Sequence, residues 1–217
     1  MFRKSLNVFL AAGFLLTAAT SFAATTITFD DISTSPPFYE GSLPNGYQGL
    51  DWSYFLVQSH LPGASPTGYD AGLVSGPNDA FGFAGFPASF SSPTPFTFTS
   101  GYFTGAFNDG LNITIQGFNG ATLLDSETII VSSTAPTLEV FNWTDLTEVT
   151  FNSFGGTHNP AYPSAGNTAG TQFVVDNLVI NGSSLPEPGE YSMIVVGLVG
   201  LIVLRKRTES GRLNSTK

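Results

Sequence analysis

The sequence predicts an all-β fold, a two-sheet antiparallel jelly-roll-like β-sandwich, on three observations. Apolar and polar residues alternate over short stretches. Between residues 24 and 185 no stretch keeps apolar residues at helical spacing for three turns. Gly, Pro, Asn and Asp clusters interrupt the alternation throughout.

Taken in order, Thr25–Ile32 reads as a first strand. Gly49–Val57 reads as a second, with Leu50, Trp52, Tyr54 and Leu56 on one parity and Asp51 and Ser53 on the other. Residues 60–94 are rich in Gly, Pro and Phe, as in Gly82-Phe83-Ala84-Gly85-Phe86-Pro87, and read as loops and short strands. Pro95–Phe107 reads as a long strand followed by Asn108-Asp109-Gly110. Leu111, Ile113 and Ile115 then alternate with polar residues until Asn119-Gly120, and Ala121–Val131 follows. Asp-Gly and Asn-Gly between alternating stretches are strong hairpin signals, so residues 95–131 are predicted to form a three-stranded meander. Thr137–Asn142, Leu146–Phe154 and Gln172–Ile180 supply the later strands, the last expected to lie near the first.

Charge narrows the function classes. The chain has 217 residues, a formal net charge of −9 and no Cys. Thiolate metal sites, cysteine nucleophiles and disulfide frameworks are therefore excluded. All seven Lys and Arg lie at the ends: Arg3, Lys4, Arg205, Lys206, Arg207, Arg212 and Lys217. A protein so poor in cations is no nucleic-acid binder. Thirteen carboxylates stand between Ala24 and Leu185, with only His60 and His158 as potential side-chain cations. A buried carboxylate there must be protonated, hydrogen-bonded to backbone, or bound to a metal.

That constraint selects Asp176. It lies in Phe173–Ile180, where apolar residues occupy both parities, the pattern of a strand covered on both faces. Asp30 and Asp31, in the first strand, would stand on opposite faces. Two readings stay open for these three. Hard carboxylate oxygens suit Ca²⁺, and a strand-end carboxylate can equally be held by backbone N–H groups or water. Asn108-Asp109-Gly110 is better explained as a turn than as a metal loop. Trp52, Tyr54 and Trp143 are candidate sugar-stacking rings, against ordinary packing in the core or on a sheet. His158, in the turn-rich Gly155-Gly156-Thr157-His158-Asn159-Pro160, is a candidate ligand contact, against a role in closing its loop. No H-x-H or H-E-x-x-H spacing supports zinc, and no G-x-S-x-G elbow supports a serine hydrolase. Nothing in the sequence selects a glycosidase pair among the carboxylates.

The ends read as addresses. Residues 1–23 have a basic start, an apolar Leu6–Ala19 stretch and small residues at Ser21-Phe22-Ala23, the pattern of a cleaved secretory signal. Residues 24–182 are the β domain, and 183–189 a linker holding Pro186-Glu187-Pro188. Residues 190–207 are a short apolar membrane helix stopped by Arg205-Lys206-Arg207, and 208–217 a cytoplasmic tail. As a helix, the apolar run Met193–Leu204 spans roughly 18 Å at 1.5 Å per residue, short of a hydrocarbon core about 30 Å thick, and Tyr191 and Ser192 extend it.

Pro-Glu-Pro, an apolar helix and an Arg-rich cluster, in that order behind a signal peptide, resemble the PEP-CTERM sorting signal of Gram-negative bacteria. The resemblance implies recognition by an exosortase, transient anchoring in the inner membrane, then release to the cell surface or exterior of a host that makes extracellular polysaccharide. Thr208–Lys217 departs from it as an added tail. The body resembles jelly-roll carbohydrate-binding and galactose-binding-like modules. The resemblance rests on Thr28-Phe29-Asp30-Asp31-Ile32, Phe107-Asn108-Asp109-Gly110, Gly155-Gly156-Thr157-His158 and Phe173-Val174-Val175-Asp176-Asn177-Leu178. In such modules a structural calcium often joins the terminal strands. The expectation is a non-enzymatic exported protein associated with polysaccharide. A structural or adhesive matrix protein without a defined ligand is the alternative, and a glycosidase or lyase the third reading.

Overall fold

The structure, a computed structural model, describes residues 23–35, 40–60, 66–166 and 169–181. Most of the leader, and the sorting residues Pro186, Glu187, Pro188, Arg205, Lys206 and Arg207, lie outside the described residues. Among the described residues no helix is long and apolar enough to cross a membrane.

The fold is all-β and antiparallel. The strands are β1 (Thr25–Ile27), β2 (Glu40–Ser42), β3 (Asp51–Ser53), β4 (Phe55–Ser59), β5 (Asn78–Gly82), β6 (Ala88–Gly105), β7 (Asn108–Asp109), β8 (Leu111–Asn119), β9 (Thr122–Val131), β10 (Thr137–Phe154), β11 (Thr157–His158) and β12 (Phe173–Ile180). One five-residue helix, α1 (Gly68–Gly72), and 3₁₀ turns at Tyr47–Gly49 and Phe83–Gly85 complete it. The expectation of no helix thus fails only by this short element.

One hydrogen-bonded ladder runs β2-β4-β5-β12-β6-β10-β8-β9, with β1 paired to β12 and β3 to β6. Its ends fold onto each other. Phe55 of β4 and Phe151 of β10 have ring centroids 5.7 Å apart, although β5, β12 and β6 lie between their strands. In a flat sheet with neighbours about 4.8 Å apart that separation would be roughly 19 Å. The sandwich is therefore one sheet bent into two layers rather than two separate sheets. The first layer holds β2, β4, β5, β12, β1 and the facing parts of β6 and β10. The second holds β3, Ala88–Ser91 of β6, Glu148–Phe154 of β10, β8 and β9.

The bend has identifiable causes. Ser91 pairs with Glu148 and Phe96 with Leu146, so Ser92–Pro95 stand opposite the single Thr147. Pro93 and Pro95 lack the N–H groups that a straight ladder would need. β10 adds two one-residue bulges, where Asn142 and Asp145 take φ of 54° and 62°. Both are residue types that tolerate the left-handed region.

Inward-facing rings fill the space between the layers. Phe151 meets Phe55, Phe90, Phe98, Phe103 and Phe173, with centroids between 5.6 and 6.4 Å. Ile113, Ile115 and Val149 are fully buried beside them. On the outer side of the first layer, α1 covers a smaller cluster of Phe81, Ala106 and Val174 with Tyr69 and Phe107.

Three expectations are corrected. Residues 95–131 are no meander, because β6 pairs with β10 and β12 while β8 pairs with β10 and β9. The Asn108-Asp109-Gly110 turn joins strands that are not neighbours, and Asn108–Asp109 instead pair with Thr157–His158. Gly49–Val57 is not one strand, since Tyr54 at φ 54° turns the chain between β3 and β4. Thr137–Asn142 and Leu146–Phe154 are one bent strand. The β8–β9 hairpin at Asn119-Gly120 and the pairing of the first and last strands are as expected.

Candidate functional site

The two layers turn very different outer faces to their surroundings. On the first, Val174 pairs with Phe81 and Val175 with Ala80, and Asp176 follows Val175. The register ends there, and Asp176 lies close enough to Asp79 to act on its carboxyl. Both are buried. Asp176 Oδ2 accepts N–H bonds from Val74 (2.7 Å) and Ser75 (2.8 Å), and its Oδ1 accepts one from Asn177 (2.7 Å). The Asn177 bulge, at φ 49°, brings that last N–H round. Burial raises the Asp176 carboxyl to about 6. The three N–H bonds work against the rise and Asp30 adds to it. Asp79 is pushed well above the carboxylate range by burial first, then by Asp176 and Asp70, and its Oδ1 has no hydrogen-bond partner.

The three residues considered for calcium are thus divided. Asp30 Oδ1 accepts from Asn78 N–H at 3.0 Å, and its charge reaches Asp176. Asp31 lies apart, accepting from the Tyr47 hydroxyl at 2.6 Å. Among the described residues no three acidic or histidine side chains converge to hold a metal ion. The Asp176 oxygens face N–H donors, which occupy lone pairs that a cation would need. The backbone-held reading of Asp176 is thus the one its hydrogen bonds display.

Two features here escape a sequence reading. Asn78 donates from Nδ2 to Phe29 O (3.0 Å) and Ile32 O (2.9 Å), and its Oδ1 accepts from Ser59, so one side chain ties the first segment to β4 and β5. His60 Nδ1 lies 2.8 Å from Asp70 Oδ1. Asp70 Oδ2 in turn accepts from Thr67 N–H at the start of α1.

The second layer's outer face is built differently. Cross-strand register lines up Ser53 (β3), Ser89 (β6), Thr150 (β10), Gln116 (β8) and Ser126 (β9) in one row. The next row is Asn152, Thr114 and Thr128, with the two threonine hydroxyls 2.8 Å apart. These outward residues alternate with the buried Phe90, Val149, Phe151, Ile113 and Ile115. Neither row contains a charged side chain. Asp51 and Glu148 stand one row beyond, at one end of the face.

Aromatic rings gather at the other end. Tyr54 follows Ser53 and packs on Phe86 at 5.7 Å, which meets Phe83 at 6.3 Å. Phe154, one row beyond Asn152, is at the same end. Tyr54, Phe83 and Phe86 are 56%, 44% and 51% exposed, far above the core rings. Two residues in the left-handed region hold the cluster outward, Tyr54 at φ 54° and Ala84 at φ 53°, and Phe83 N–H donates to Tyr54 O at 2.9 Å. Non-Gly residues in this region are costly and concentrate at functional sites.

Of the four candidate ligand contacts, Tyr54 alone belongs to this cluster. Trp52 is in the core against Phe29, Phe55 and Phe90, its Nε1 donating to Tyr47 O at 3.0 Å. Trp143 is half-buried against Phe98 and Phe141. His158 is exposed on β11, where it pairs with Asn108. Phe83 and Phe86 were readable only as Phe inside a Gly-rich turn, a segment too irregular to bury them in a sheet.

No protein-family model matches the chain, and no curated protein matches it. Solved structures do. The carbohydrate-binding module TmCBM61, in complex with β-1,4-galactotriose, is 11% identical over 63% of this chain and 93% of that one, with a TM-score of 0.34. The enzymatically active domain of bacteriophage CBA120 tailspike protein 4 is 9% identical over 66% of this chain, with a TM-score of 0.31. The match spans 22% of that tailspike chain. Likenesses this distant assign neither a ligand nor a residue.

Proposed function

We propose that the chain is an exported, non-catalytic surface protein whose second layer holds polysaccharide on its outer face. The single observation that carries this reading is the exposed Tyr54–Phe86–Phe83 cluster beside two uncharged rows of hydroxyl and amide side chains. Aromatic faces pack against the apolar face of a sugar ring, and Ser, Thr, Asn and Gln both donate to and accept from sugar hydroxyls. An exposed ring cluster of this kind on a soluble domain marks an interaction site. The reading also draws on the two ends of the sequence. The leader pattern supports export, and Pro186-Glu187-Pro188 with Arg205-Lys206-Arg207 supports sorting by an exosortase after a transient membrane stage.

The test is glycan-array binding by the full-length chain, with calcium and with chelator as separate arms. Saturable binding that is lost on Tyr54→Ala with Phe86→Ala, in a protein of unchanged melting temperature, is the expected result. Absence of binding from a folded protein overturns the reading in favour of a structural matrix protein. Turnover of a bound polysaccharide would move it to the enzymes.

A further inference from the structure

The charge around the ring cluster restricts what it can hold. We infer that the second-layer face takes an internal stretch of an uncharged polysaccharide and rejects anionic glycans; this rests on the reading of that face as a glycan site. Recognition of a uronate, sulfate or phosphate on a sugar needs a cation or a set of directed N–H groups. Between residues 24 and 204 the sequence holds no Lys or Arg. The backbone N–H groups of β6, β10 and β8, which carry the middle of the face, are committed to the ladder on both sides, and the outer N–H groups of the edge strands β3 and β9 point sideways in the plane of the sheet, away from the face. The charges nearest the two rows on that face are the carboxylates of Asp51 and Glu148, and thirteen carboxylates stand between Ala24 and Leu185. A low-dielectric sheet bordered by acid repels a polyanion before contact.

The shape of the face selects polymer over a chain end. The row from Ser53 to Ser126 crosses five strands, roughly 19 Å at about 4.8 Å per strand, enough for several sugar rings laid end to end. Its partners are spaced along a surface, not gathered round a point. The rings of Tyr54, Phe86 and Phe83 stand beyond its end as a rim, giving a stacking contact where the row gives hydrogen bonds.

Affinity electrophoresis of the full-length chain tests this, using gels that contain an uncharged β-glucan, an uncharged β-galactan, or the polyuronate alginate. Retardation by at least one uncharged polymer and none by alginate is expected, unchanged when salt is raised, because screening acts on charge alone. Trisaccharides of the retarding polymer should compete at least about tenfold more weakly than the polymer, roughly 1.4 kcal/mol of lost contact. Thr150→Lys places a cation in the middle of the row and should create retardation by alginate; Gln116→Lys does the same if the first variant folds poorly. Equal retardation by alginate and an uncharged polymer overturns the selectivity and leaves the glycan reading standing. No retardation by any polymer, from a chain with an intact melting transition, removes both. Light scattering that shows a dimer dissolved by Phe86→Ala would assign the rim to a second copy of this chain and overturn the inference.

Discussion

The two outer faces of this sandwich solve opposite problems with the same backbone. The first layer buries carboxylates beneath α1 and the Val74–Ser75 segment, in a body without Lys or Arg. The second layer displays hydroxyls and amides in open rows and leaves rings exposed at one end. The first face is closed, and Asp176, Asp30 and Asp70 accept backbone N–H bonds that hold its segments together, while Asp79 is buried with an unpartnered oxygen. The second is open, and its groups, one threonine pair apart, are not tied down in the described bonds. The difference teaches that burial of carboxylates here belongs to the fold, whereas the second face keeps its hydroxyls and amides open to the surroundings.

The largest expected effect breaks the first face. Asp176→Ala removes the acceptor for the Val74, Ser75 and Asn177 N–H groups together. Leaving a buried donor without a partner costs about 1–3 kcal/mol; these three are only partly buried and water reaches them in part, so a summed loss of about 3 kcal/mol is expected in urea melts. Glycan retention by the surviving folded protein should not change. A loss under about 1 kcal/mol would mean that this carboxylate does not hold the segment.

The pH dependence is the next largest. Asp79 and Asp176 both have folded pKa values raised above that of the free side chain, Asp176 to about 6. The fold therefore favours their protonated forms. The Asp176 contribution is fully present below pH about 4 and is lost as pH rises through 6, on the order of 2 kcal/mol, and that of Asp79 is likewise lost as the pH rises. Asp109 runs the other way. Bonds from Ser133 and Ser132 lower its pKa, so its stabilisation is lost as the pH falls. Stability measured against pH should peak in mild acid and decline toward neutrality. Asp79→Asn keeps the shape of the protonated acid without the titration, so it should change stability by less than about 1 kcal/mol at pH 3.5, below the free carboxyl's pKa, and improve it at pH 7.5. A variant equally destabilised at both values would show that Asp79 is needed ionised.

How much of this contrast was legible depends on which physical signal each residue left. Asp176 was legible because a carboxylate in a doubly apolar strand, with no cation available, has few ways to exist. Asp79 was not, because Asn78-Asp79-Ala80 gives no apolar pattern of its own; its burial follows from β5 lying between β4 and β12. The β8–β9 hairpin was written into Asn119-Gly120 and the flanking alternation. The neighbours of β6 were not, because which strands meet is settled by the bend at Ser92–Pro95 and the closing of the layers. Trp52 and Tyr54 have the same parity in sequence yet opposite fates, and the left-handed backbone of Tyr54 is the reason. Local pattern reports which face a residue prefers, whereas one positive φ reverses every face that follows.

The smallest effect tests whether the ring cluster is held under strain. Ala84 sits at φ 53° and its neighbour Gly85 at φ 72°. An alanine in the left-handed region costs about 1 kcal/mol over glycine there, while a glycine adds about 0.4–1 kcal/mol of freedom to the unfolded chain. Ala84→Gly should therefore be close to neutral, within about 0.5 kcal/mol, rather than show the ordinary loss of putting a glycine into structure. Gly85→Ala should destabilise by more, because a Cβ there would both strain the backbone and overlap Thr171 Oγ1. If the cluster works as a preset stacking rim, Ala84→Gly should weaken polysaccharide retention severalfold at almost unchanged stability, since freedom at residue 84 loosens Phe83 and Phe86 together. Retention unchanged in that variant would mean that the rings bind without being held in advance, and that the strain belongs to the chain's turn between β5 and β6 alone.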